Sequence, residues 1–217
     1  MSESTPREQL TTTSYAVLGL LCIKEWSAYD LVQEMERGWA DIWPRAVSGI
    51  YREPKKLVAH GYAASRTEHH GRRARTVYAA TPAGREAFSA WLGSPAADPK
   101  LEAEALVRAA FAEHGSADDL RVAAQQVRAF AVERSRLYLK IADEYAEAGP
   151  RFPERLHSIL LVAGFLGRYF AALIDWADWV EDALAEWDDV ASAEAVPNLD
   201  ELGRSVREQF EANVARG

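Results

Sequence analysis

Two short stretches of this chain concentrate the side chains that could do chemistry on a polyanion. Arg45, Ser48, Gly49, Tyr51, Arg52, Lys55 and Lys56 fall in the first, and Arg66, Arg72, Arg73 and Arg75 in the second. Cations and hydroxyls neutralise and hydrogen-bond phosphates, whereas a planar guanidinium can also hold a guanine edge through two bonds. Small Ser48 and Gly49 permit close approach, Arg52 suits a base edge, and Tyr51, Lys55 and Lys56 suit phosphate oxygens. The plainer roles are a solvated face for the two lysines and core packing for Tyr51. Three arginines within positions 72–75 would make a hairpin tip a phosphate or minor-groove clamp.

Other candidate sites are weaker. His69 and His70 are adjacent, so on a strand they point apart, and no cysteine or carboxylate cluster joins them. Glu154 and His157 have the spacing of helical di-iron ligands, but no second such pair exists. We therefore expect no metal and no cofactor. Phe165, Arg168, Tyr169 and Trp176 could form a ligand-facing aromatic surface, although aromatics at helical spacing more often pack in a core or interface. Cys22 lies in the apolar run 16–23 and reads as a buried, inert thiol. No phosphate loop or nucleophile–base set is apparent, so no enzyme is expected.

The elements that must position these residues follow from pattern. An apolar helix over 11–23 precedes a second at 28–37, which starts at Ser27 with Asp30 three residues on and ends near Gly38. A third, 46–60, carries Pro54 in its interior, which predicts a kink or broken turn. Strands at 62–68 and 75–80 flank a polar loop at 69–73, and Thr81-Pro82 opens a helix to Leu92. This order describes a winged helix-turn-helix. After a linker at 93–99 only helices are expected, over 101–113, 118–146, 154–190 and 200–215. The fold class is thus mainly α: residues 1–12 a flexible start, 13–92 a winged helix-turn-helix, and 100–217 an all-helical dimerisation half with a capacity for an effector.

The long helix 154–190 carries two apolar stripes. Ile159, Ala163, Leu166, Phe170 and Leu173 lie on one, while Leu161, Phe165, Trp176 and Trp179 lie on the other. Two faces need two partners, and a second subunit is the natural second one. Ile159, Ala163, Leu166, Phe170, Leu173, Trp176 and Trp179 are the expected dimer contacts. Arg168 interrupts the most apolar segment, 159–174, so no membrane span is expected, and the polar residues 1–13 lack a leader's apolar core. A cytoplasmic location is the expectation.

The net charge of −8 is uneven. Residues 11–92 hold 11 Lys and Arg against 8 Asp and Glu, whereas residues 93–217 hold 13 against 23. A mildly basic head on an acidic body is compatible with nucleic-acid binding.

The series Tyr15-Ala-Val-Leu-Gly-Leu-Leu21, Tyr29-Asp-Leu31, Ile50-Tyr-Arg-Glu-Pro-Lys-Lys-Leu57, Gly61-Tyr62, Tyr78 and Thr81-Pro-Ala-Gly-Arg85 resembles the PadR family of transcriptional regulators, in its longer type with a virulence-regulator-like helical tail. Two positions depart from that pattern: Ala28 replaces a glycine before Tyr29, and Pro54 replaces an ordinary helix former. The resemblance implies a homodimer on a palindromic double-stranded operator, with the third helix in the major groove and the wing on the backbone. It also implies repression relieved by a small aromatic or hydrophobic effector. The competing expectation is an interaction module whose helical half binds a protein while its head no longer reads DNA.

Overall fold

The computed structural model describes residues 9–44, 47–70, 73–187 and 189–216. The chain divides after Pro99 into two compact units, and the fold is mainly helical with one small antiparallel sheet.

In the first unit, α1 (Thr12–Ile23) starts on a reciprocal cap between Thr11 and Ser14. A two-residue strand, β1 (Trp26–Ser27), leads into α2 (Ala28–Gly38), whose N-cap Ser27 accepts a bond from the Asp30 N–H. α3 (Val47–Ala59) follows, then β2 (Ala63–His70), β3 (Arg73–Ala80) and α4 (Pro82–Leu92). The strand order is β1-β3-β2, with Trp26 opposite Tyr78 and Ala63 opposite Ala80. Sequence reading takes residues 25–26 as a break between helices; Trp26 and Ser27 instead form the third strand. Two residues carry no periodicity, but Trp26 is buried and its indole N–H donates to the Leu20 carbonyl at 2.8 Å.

The core gathers Val17, Leu18 and Leu21 of α1, Leu31, Val32 and Met35 of α2, Ile50 and Leu57 of α3, and Val77 of β3. Much of the motif series is thereby explained as architecture. The backbone of Gly84 approaches Tyr62 so closely that a Cβ there would lie 2.0 Å from the Tyr62 carbonyl oxygen. That oxygen accepts the Thr81 N–H at 3.0 Å, and the Thr81 hydroxyl donates to the Gly61 carbonyl at 2.7 Å. Gly61 itself sits at φ +74, the left-handed region that favours glycine after a helix. Arg85 donates to the Cys22 carbonyl at 2.7 Å near the end of α1. Cys22 is half-buried rather than buried; desolvation pushes its thiol up, against the pull of Arg85.

The second unit is built on α6 (Ala117–Ala148) lying along α7 (Leu156–Leu184), with the shorter α5 (Glu104–Ala110) and α8 (Leu199–Val214). Ser116 and Asp119 cap the start of α6 reciprocally. α7 ends six residues before the expected boundary and is about 43 Å long at 1.5 Å per residue. Its first stripe faces α6 within one chain: Leu166 and Phe170 are each 2% exposed, and Phe130 and Tyr138 meet the Phe170 ring at 6.2 and 5.9 Å. Ala177, Val180 and Leu184 continue that seam with Ala124 and Val190. Leu166 and Phe170 have no surface left to give a second chain, because α6 already covers them. Ile159, Ala163 and Leu173 flank the seam half-buried. The other stripe stands open, with Leu161 77% and Phe165 63% exposed.

Residues Pro153–Leu184 form a helical stretch long and apolar enough to cross a membrane by length and composition. The same pattern arises when one face packs on a neighbouring helix, as here on α6, and the other is apolar too.

Candidate nucleic-acid interface

α3 has two faces of opposite character. Ile50, Pro54 and Leu57 are buried against the unit's core. Ser48, Tyr51, Arg52 and Lys55, spaced three and four apart, are all exposed and share the opposite face. Gly49 is half-buried, and a Cβ added there would meet open space, so nothing inside the chain requires its smallness. Lys56 is half-buried at the edge of this face. Tyr51 is 40% exposed, which excludes the core role open to it in the sequence.

The expected broken turn at Pro54 is not found. α3 runs unbroken through it, and its ring is among the most buried side chains of the chain. The missing N–H costs one intrahelical bond, but burial of the ring on the core side offsets part of that loss. Next to it, one Glu53 carboxylate oxygen is buried with no hydrogen-bond partner among the described residues.

The wing is longer than the sequence suggests. β2 and β3 pair out to His70 and Arg73, so His69 and His70 belong to a strand rather than a loop. Arg45 and Arg72 lie outside the described residues, and Arg73 opens β3. The remaining two wing arginines are engaged within the protein. Arg66 pairs with Glu25 and, at 2.6 Å, with Glu68. Arg75 reaches Glu68 at 3.1 Å and Asp30 at 3.7 Å. The bonds from Arg75 and then Arg66 hold the Glu68 carboxyl below its usual range, and Glu25 chiefly raises Arg66. Both arginines keep about half their side chains exposed, but their charge is largely answered by Glu25, Asp30 and Glu68. Sequence reading missed this network. The Glu68–Arg75 pairing becomes visible only once the hairpin register is known, since it sets the two directly opposite.

In the second unit a cavity of about 390 Å³ lies among α5, α6, α7 and the segment leading into α8. Of the four residues expected to face a ligand, only Trp176 lines it. Phe165 and Tyr169 instead stack on each other, rings 6.3 Å apart, and Arg168 donates back to the Gly164 carbonyl at 2.8 Å. Among the described residues no group of three His, Cys, Asp or Glu side chains converges as a metal site would require.

A helix-turn-helix with a paired β-wing and a cation-bearing outer face on its third helix defines a DNA-binding transcriptional regulator. Residues 17–90 match the sequence pattern of the PadR-like transcriptional regulator family. A probable transcriptional regulator of Mycobacterium tuberculosis, Rv1176c, is 26% identical over 184 residues, 79% of this chain and 97% of that one. The negative transcriptional regulator PadR of Bacillus subtilis is 34% identical over 79 residues, 36% of this chain and 43% of that one. The fold likeness extends further than that sequence match. The crystal structure of Bacillus subtilis PadR in complex with operator DNA aligns with 81% of this chain and 98% of its own, at TM-score 0.62 and 22% identity. Its complex with p-coumaric acid aligns with 81% and 100%, at TM-score 0.65 and 22% identity.

Proposed function

We propose that this protein is a dimeric, sequence-specific repressor that places α3 in the major groove of a palindromic operator. The observation that carries this reading is the face of α3 with Ser48, Tyr51, Arg52 and Lys55 exposed while the opposite face is buried. Arg52 reads a guanine edge, with Ser48 and Gly49 allowing close approach and Arg45 assisting. Tyr51, Lys55 and Lys56 bond phosphates on either side. In the wing, Arg72 and Arg73 make the backbone contact; Arg66 and Arg75 contribute less than their number suggests, because three carboxylates already pair with them.

Dimerisation uses the open stripe of α7, centred on Leu161 and Phe165, rather than the seam that α6 covers. Two copies related by a two-fold axis present two α3 helices to half-sites about one helical turn apart. Repression accords with the negative regulator named among the relatives. Relief by a small molecule accords with the p-coumaric acid complex of the fold neighbour. The site of action is the cytoplasm, where the operator is. A mobility shift on the DNA upstream of the protein's own gene tests the reading, through a log–log salt slope of about −0.9 per phosphate neutralised. Binding that is absent, or insensitive to salt, would refute it.

A further inference from the structure

We propose that Gly49 sets how deeply α3 seats in the major groove, its missing side chain admitting the sugar–phosphate wall so that Arg52 reaches a base edge. This rests on the reading of α3 as the groove helix and names the residue that fixes its depth. Each other described glycine of the first unit has a place in the fold that accounts for it. A Cβ at Gly19 would lie 2.8 Å from the Phe88 ring, and one at Gly84 would lie 2.0 Å from the Tyr62 carbonyl oxygen. Gly61 sits at φ +74, while Gly38 and Gly93 stand at the ends of α2 and α4. Gly49 is the third residue of α3, and a Cβ added there meets nothing within 4 Å among the described residues. Glycine weakens a helix relative to alanine. Its smallness at this position therefore serves a surface outside the chain.

Position on α3 identifies that surface. Gly49 is half-buried and borders the exposed face that carries Ser48, Tyr51, Arg52 and Lys55. Arg52 and Lys56, three and seven residues on, share its flank of the helix. Glu53, four residues on, is half-buried with one carboxylate oxygen out of solvent, which leaves Arg52 and Lys56 to set the charge this flank presents. The major groove is about 12 Å wide, and a helix with its side chains is about 10–12 Å across. A helix dressed on both flanks therefore fills the groove from wall to wall. A flank that lacks a Cβ lets the axis shift toward one wall by about the length of a carbon–carbon bond. Arg52, on that same flank, gains the distance. A paired arginine–guanine contact requires N···O separations of about 2.7–3.2 Å, so the loss of one ångström breaks it.

The full chain and two duplexes test this: the sequence that wild type selects from a random pool, and a scrambled duplex of the same composition. Gly49→Ala should raise the folding equilibrium constant by up to about fivefold, read as a higher urea midpoint, because alanine is the better helix former and meets open space. The same variant should bind the selected duplex roughly tenfold or more weakly, the size of a lost base contact. It should bind the scrambled duplex within about twofold of wild type, since phosphate contacts alone hold that complex. Its own selected profile should relax at the position that Arg52 reads. Gly38→Ala, a second glycine with open space around it, should leave both affinities unchanged. A merely structural role for Gly49 would instead lower stability and both affinities together. Gly49→Ala with wild-type affinity for the selected duplex, with a lower urea midpoint, or with equal losses on both duplexes would overturn the proposal. A wild type that selects no sequence would refute the groove reading itself, so the two failures are distinct.

Discussion

Replacing Leu161 and Phe165 together by glutamine should convert the proposed dimer to monomers without unfolding either unit. Leu161 is 77% and Phe165 63% exposed in the single chain, so both contribute little to its fold. Together they present about 200 Å² of apolar surface, worth ~5 kcal/mol per chain if fully covered at ~25 cal/mol per Å². A two-fold interface counts that surface twice. Association costs absorb part of it, but loss of even a third would raise the dimer dissociation constant by roughly two orders of magnitude. Light scattering across a dilution series reads the shift, and urea denaturation followed by tryptophan fluorescence checks that monomer stability is kept. The contrasting variant is Phe170→Ala on the seam. Phe170 is 2% exposed among Phe130, Tyr138 and Tyr169, and its loss should cost about 3–5 kcal/mol of folding stability. A double glutamine variant that remains dimeric at nanomolar concentration would refute the assignment of the open face. So would a Phe170→Ala protein that dissociates with undiminished stability.

Three further outcomes follow from the first unit. Gly84→Ala should destabilise it strongly, because the added Cβ would lie 2.0 Å from the Tyr62 carbonyl oxygen; a thermal melt unchanged from wild type would contradict this. Glu68→Gln leaves Arg66 with Glu25 and Arg75 with Asp30 alone, so affinity for all DNA sequences should rise modestly and the salt slope steepen by less than about 0.9 per arginine that gains a phosphate. The depressed Glu68 carboxyl also contributes stability that is present above the ordinary glutamate range and lost as pH falls through its lowered value. Wild type should therefore lose more stability than Glu68→Gln on acidification, as scanning calorimetry of both proteins can show.

Much of this was legible in the residues, and the failures have physical causes. The motif series located all four helices of the head and both wing strands, because caps and glycines at Ser27, Gly61 and Thr81 punctuate the chain strongly. β1 escaped because two residues have no period. Pro54 misled because the helical cost of proline is read from sequence, whereas the burial that offsets it is a tertiary fact. The two stripes of α7 were visible, but not which of them α6 covers: periodicity gives the faces of a helix and not its neighbours. The ion pairs of Arg66 and Arg75 needed the strand register, and the cavity needed Trp187 and Val196, which lie on the α7–α8 connection where no period guides the eye.

The central claim is that Arg52 on the open face of α3 reads a base. A bidentate arginine–guanine contact gives about 1–3 kcal/mol of discrimination. Selection of bound sequences from a random pool, with wild type and Arg52→Ala compared at one salt concentration, measures it position by position. The account predicts that preference relaxes at one position in each half of a palindromic site while the remaining positions stay informative. A uniform loss of affinity across all sequences, with a shallower salt slope, would place Arg52 on the phosphate backbone and contradict it.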